Sequence, residues 1–170
     1  RGSKLLHRLI NIVMKNILLK LLVVLSFGSC NENTPNDNID SNGYSLSNKT
    51  ILIEQSLDNN NLITRPVIMQ TPNVIDTSKS YPIVFAFHGR GGNNNSWVNH
   101  LINYTNSGEF IGIYPQGYLE SWNLGPEPSN ANDVEFINLI VDELQNYDNL
   151  NFDKMYAIGT SNGSGMVNKL

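Results

Sequence analysis

The chain has one cysteine, Cys30, so its 170 residues can form neither an intramolecular disulfide framework nor a Cys-based zinc site. Acidic residues are absent before Cys30, where Arg1, Lys4, Arg8, Lys15 and Lys20 carry all the charge. Beyond Cys30 the bias reverses to 6 basic against 15 acidic residues, with no Lys/Arg cluster. That balance argues against an electrostatic nucleic-acid binder. His88, His100 and the acids show no ligand spacing such as H-E-x-x-H, so neither a metal nor an organic cofactor is expected. The length allows one domain with a real core and not two large ones. What is plentiful is asparagine, 27 residues, which makes the loops polar and turn-prone.

The first thirty residues read as an address. Met14 and Lys15 lead into an apolar stretch broken only by Asn16 and Lys20, then Leu21 to Leu25, then Ser26-Phe27-Gly28-Ser29-Cys30. A basic start, a short apolar core and a small-residue site describe a secretory signal, too short for a comfortable membrane span. With Cys30 directly after Gly28-Ser29 it resembles a bacterial lipoprotein signal, which implies lipidation of Cys30 and a membrane anchor in the cell envelope. Phe27 departs from the Leu more common there. An ordinary cleaved signal and a retained signal anchor are the alternatives, and all three export the protein. Residues 1–13 read as upstream, non-native sequence, 14–30 as the signal, and 31–48 as a flexible linker without periodicity.

Residues 49–170 read as strands alternating with helices. Thr50–Gln55 and Thr64–Gln70 are strand candidates that could pair antiparallel across a turn-rich segment. Tyr81–Phe87 is a continuous apolar run, suited to a strand buried on both faces. Phe110–Pro115 and Met155–Gly159 repeat that pattern. Val134, Ile137, Ile140, Val141 and Leu144 recur at helical spacing behind a capping-box pair, Asn132 and Glu135. Ser96–Tyr104 is a weaker helix candidate. The alternation predicts an α/β domain with its site at the carboxyl ends of the strands.

Two strand exits carry chemistry. Gly159-Thr160-Ser161-Asn162-Gly163 matches G-x-S-x-G after a strand and before a helix, where glycines permit the sharp turn that lifts a serine hydroxyl out of the sheet. Ser161 is therefore the candidate nucleophile, and the helix start favours an oxyanion. His88-Gly89-Arg90-Gly91-Gly92 can supply the second of two convergent N–H donors. The expected oxyanion donors are the backbone N–H groups of Arg90 and Asn162, with Gly91 as the alternative in the loop. His88 is read as shaping its own loop rather than as the base, which follows the serine in this order of residues.

Taken together, these motifs, with Tyr114-Pro115-Gln116-Gly117, Ser121-Trp122-Asn123 and Asn132 to Ile137, resemble the polyhydroxybutyrate depolymerase and feruloyl/acetyl-xylan esterase group of α/β-hydrolases. The likeness covers roughly residues 50 to 170. It implies an α/β-hydrolase fold, a three-layer sandwich with a mostly parallel central sheet. It also implies secreted serine esterases acting on polyester or ester-decorated plant polysaccharide. Ser164 stands where a second glycine often follows Ser-Asn-Gly, and the cysteines many members pair are absent. Asp133 is read as a helix-start cap or dipole partner worth about 1 kcal/mol rather than a triad acid. Trp122 has two readings, lining the substrate cleft or packing locally.

Asn162 to Leu170 contain no Asp, Glu or His, so a triad in the order Ser, acid, His cannot be assembled from this chain. The expectation is an N-terminal piece of the hydrolase domain, its C-terminal strands missing, poorly folded and inactive or nearly so by itself. A non-catalytic surface lipoprotein that binds glycan or polymer on a truncated scaffold is the alternative in a different class. Within the enzyme reading, peptidase or dienelactone-type chemistry shares the same elbow.

Overall fold

A computed structural model describes residues 43–57 and 61–170. The signal segment and Cys30 lie outside the described residues. Five strands, β1 (Lys49–Ser56), β2 (Leu62–Gln70), β3 (Tyr81–Phe87), β4 (Ile111–Pro115) and β5 (Leu150–Gly159), form one sheet in the order β1-β2-β4-β3-β5. Among the described residues three α-helices, α1 (Val98–Asn106), α2 (Asp133–Leu144) and α3 (Asn162–Lys169), accompany it.

The first two strands pair antiparallel as expected, with Ile51 opposite Val67 and Ile53 opposite Arg65. β1 alternates strictly, burying Ile51, Ile53 and Gln55, which is the period of a half-buried strand. β2 joins β4 antiparallel, and β4, β3 and β5 run parallel. β3 sits between β4 and β5 and is buried along nearly its whole length, the outcome its unbroken apolar run predicts. β5 is longer than the Met155–Gly159 segment and only partly buried, and among the described residues β3 is its sole partner.

In α2, Phe136, Ile137, Ile140 and Leu144 turn one face into the core with Ile83, Phe85 and Ile113. Half of the expected capping box forms. The Asn132 side chain accepts from the Glu135 N–H, whereas the Glu135 carboxylate turns to the Gln55 amide. Residues 43–48, read as the last part of the linker, make contacts with the rest of the described residues. Leu46 is buried in the core, Tyr44 bridges Tyr147, and the Asn48 side chain accepts from the Thr71 N–H. Apolar side chains at 44 and 46 find partners that a reading based on local polarity does not see.

Candidate active site

The parallel arrangement brings the exits of β3 and β5 side by side. At the β5 exit Ser161 has φ 51° and ψ −120°, a backbone conformation that side chains with a Cβ rarely hold. Two glycines make that turn sterically feasible. A Cβ at Gly159 would run into the Gly163 carbonyl, and one at Gly163 would meet the carbonyl oxygens of Phe87 and His88. The first turn of α3 therefore packs directly on the end of β3, and the Thr160 N–H donates to the Phe87 carbonyl at 3.2 Å. Ser161 is exposed, and its hydroxyl does not cap the helix that it begins. The turn thus presents a free hydroxyl at the amino end of a helix, as the motif predicts.

The β3 exit lies against this turn. A Cβ on Gly89 would stand 3.5 Å from the Ser161 Cβ. Among the described residues, the backbone N–H groups of Arg90 and Asn162 have no acceptor. The Gly91 N–H is taken by the Glu120 carbonyl at 2.8 Å, which removes Gly91 as the alternative donor. Glu120 and its neighbour Leu119 both have positive φ, 56° and 50°, so the carbonyl that holds Gly91 comes from a strained short helical turn, Tyr118–Glu120. The Arg90 side chain reaches across to Glu127 at 2.9 Å.

His88 is buried, and both its ring nitrogens are engaged. Nε2 accepts from the Gly117 N–H at 2.9 Å, so the proton resides on Nδ1, which donates to the Gly89 carbonyl at 2.7 Å. Burial lowers its pKa below the usual 6.5, against the opposing pull of the Gly89 hydrogen bond. This is a neutral, loop-shaping imidazole, the role the sequence favours over that of a base.

Trp122 departs from the cleft-lining expectation. Its exposure is 0%, its indole N–H donates to the His88 carbonyl at 2.8 Å, and its ring meets Phe87 edge-on. A side chain with no accessible surface touches no substrate where it stands, and the local-packing reading is the one observed. Its backbone forms a two-way pair with the Asn162 side chain. The Trp122 N–H donates to Asn162 Oδ1 at 2.7 Å, and Asn162 Nδ2 donates to the Trp122 carbonyl at 3.0 Å.

Asp133 does more than begin α2. Its Oδ1 pairs with Arg65 Nη2 at 2.7 Å, with side-chain exposures of 2% for Arg65 and 0% for Asp133. Its Oδ2 accepts from the Asn123 N–H at 2.6 Å. Arg65 lies over the Phe136 ring, 3.5 Å from its centroid, and burial lowers its pKa against the pull of Asp133. None of the sequence motifs singles out Arg65. A usable signal exists all the same, because Arg65 shares the period-2 face of Val67 and Met69, and a charge on an apolar face implies a buried partner.

No protein-family model matches the chain. Among curated proteins, the provisionally named esterase NocK of Nocardia uniformis subsp. tsuyamanensis is 31% identical over 96 residues, covering 52% of this chain and 28% of that protein. Feruloyl esterase C of Emericella nidulans is 29% identical over 116 residues, covering 63% of this chain and 41% of that protein. The chain therefore spans well under half the length of either. Among solved structures, that of a thermostable esterase superposes with a TM-score of 0.51 at 20% identity, covering 68% of this chain and 35% of that one. In fold the chain is like the thermostable esterase, and in sequence it is similar to part of the two curated esterases.

Proposed function

We propose that the protein to which this chain belongs is an exported serine esterase that hydrolyses carboxylic esters through an acyl-enzyme on Ser161. The observation that carries this reading is the exposed Ser161 at φ 51°, with unclaimed N–H groups of Arg90 and Asn162 beside it. In the reaction the Ser161 hydroxyl adds to the ester carbonyl, and the two N–H groups receive the charge that develops on its oxygen. Collapse expels the alcohol, and water then releases the acid. His88 has no free nitrogen with which to take the serine proton. No acid and base following Ser161 are present in these 170 residues, which by themselves are expected to turn over ester slowly if at all.

Similarity to feruloyl esterase C supports feruloyl esters as substrates, and the motif resemblance adds acetyl esters on plant polysaccharide and microbial polyester as the further candidates. Export, with lipidation at Cys30 tethering the enzyme to a membrane, rests on the signal-like residues 14–30.

The test uses the full-length protein. A fluorophosphonate probe is expected to label Ser161, and Ser161→Ala is expected to abolish both labelling and hydrolysis of p-nitrophenyl acetate and methyl ferulate, a loss of roughly 10³-fold or more. Undiminished turnover in Ser161→Ala overturns the reading. Cys30→Ala is expected to move the protein from the membrane fraction to the soluble one.

A further inference from the structure

We infer that the buried Arg65–Asp133 ion pair is a positioning pair for the oxyanion hole, acting through the loop of residues 116–123. The inference rests on the reading of Ser161 as an esterase nucleophile.

The pair grips that loop at both ends. Arg65 Nε donates to the Gln116 carbonyl at 3.0 Å, and the Asp133 carboxylate takes the Asn123 N–H. The remaining guanidinium group is spent on Gln55, whose own amide donates to the Asn132 carbonyl at the start of α2. Between its two anchors the loop touches each part of the hole. Gly117 donates to His88, the Glu120 carbonyl takes the Gly91 N–H, and the Trp122 indole holds the His88 carbonyl. The Trp122 backbone holds both ends of the Asn162 amide, and Asn162 is itself one of the two proposed donors. Gly91 is thereby withdrawn from the hole, while Arg90 and Asn162 are left free to serve it.

A role in stability alone does not account for this arrangement. Buried ion pairs are often no more stable than apolar residues of the same shape, because desolvation offsets their attraction. An apolar pair, however, can neither donate to the Gln116 carbonyl nor accept from the Asn123 N–H. What the charges add is a fixed seat for the loop. Misplacing an oxyanion donor by about 1 Å is enough to slow acyl transfer on the order of 100-fold.

The experiment uses the full-length protein in a Trp97→Phe parent, which leaves Trp122 as the only tryptophan between Arg1 and Leu170. It reads emission, melting temperature, kcat and KM on p-nitrophenyl acetate. Arg65→Met with Asp133→Leu removes both charges together. The expected result is a folded protein with kcat lower by about 10- to 100-fold, KM within about twofold, and Trp122 emission shifted to the red. Asp133→Asn keeps an acceptor for the Asn123 N–H but loses the charge that faces Arg65, and is expected to fall between the parent and the double variant, with kcat about three- to tenfold below the parent and a smaller red shift. A folded double variant with unchanged kcat overturns the inference. So does a kcat loss with unmoved emission. If the double variant does not fold, Asp133→Asn decides: a red shift with a fall of about threefold or more in kcat supports the pair's role, and parental values of both overturn it. Failure of the underlying reading is distinguishable, since Ser161→Ala would then leave turnover intact.

Discussion

β3 and β5 are parallel neighbours in one sheet, and each ends at a turn of the site, yet they are held in opposite ways. β3 is buried on both faces, and side chains from elsewhere in the chain fasten its exit: Trp97 to the Phe87 carbonyl, Trp122 to the His88 carbonyl, and Gly117 to the His88 ring. β5 is half-buried, with Tyr156 57% exposed, and its exit is fastened by backbone-to-backbone contact through Gly159 and Gly163. The loop that stabilises charge is thus set by side chains from distant segments, whereas the turn that bears the nucleophile is set chiefly by close main-chain packing, with the Asn162–Trp122 pair as its side-chain tie.

The largest effect expected from breaking this contrast is at β3. Phe85→Ala should cost about 3–5 kcal/mol in thermal or denaturant unfolding. Next comes Gly163→Ala at the β5 exit, where the new methyl meets main-chain oxygens that cannot swing aside. A loss of about 2–3 kcal/mol is expected, with a parallel loss of Ser161 labelling by a fluorophosphonate. A stability loss without the labelling loss would show that the turn keeps its shape by other means.

A smaller effect follows from His88. Its folded-state pKa lies below the usual 6.5, chiefly because of burial, so the unfolded chain binds the proton more readily. Stability contributed by the neutral ring is complete above about pH 6.5, falls as pH drops below it, and levels off beneath the folded-state value. Melting temperatures measured between about pH 7.5 and 5 should show the decline, and His88→Gln should flatten it. The smallest effect belongs to Tyr156→Thr, within about 0.5 kcal/mol in the 170-residue chain. A loss above about 2 kcal/mol for the same substitution in the full-length protein would show that further chain covers β5.

The division also explains what can be read in advance. The elbow is legible because its requirement for small residues falls on Gly159 and Gly163, within two positions of the serine. β3 is legible because its apolar run is too short for a helix, rich in aromatic and β-branched residues and closed by His88-Gly89, and α2 because its apolar residues keep a helical period. The first half of β5 is hidden because Asn151, Asp153 and Lys154 are polar, and a strand with an uncovered face need not alternate strictly. The support of the oxyanion loop is hidden too, since Arg65 and Asp133 are 68 residues apart and nothing local in either segment names the other. Trp122 likewise looks the same on paper whether it faces a cleft or a carbonyl.

The backbone of Ser161 has one more consequence, for any selection imposed on this protein. A residue with a Cβ at φ 51° and ψ −120° costs on the order of 1–3 kcal/mol, and glycine at that position escapes most of the penalty. Ser161→Gly should therefore melt later than the parent while losing its nucleophile. Variants sorted for heat resistance without a chemical screen would drift toward silent, sturdier descendants.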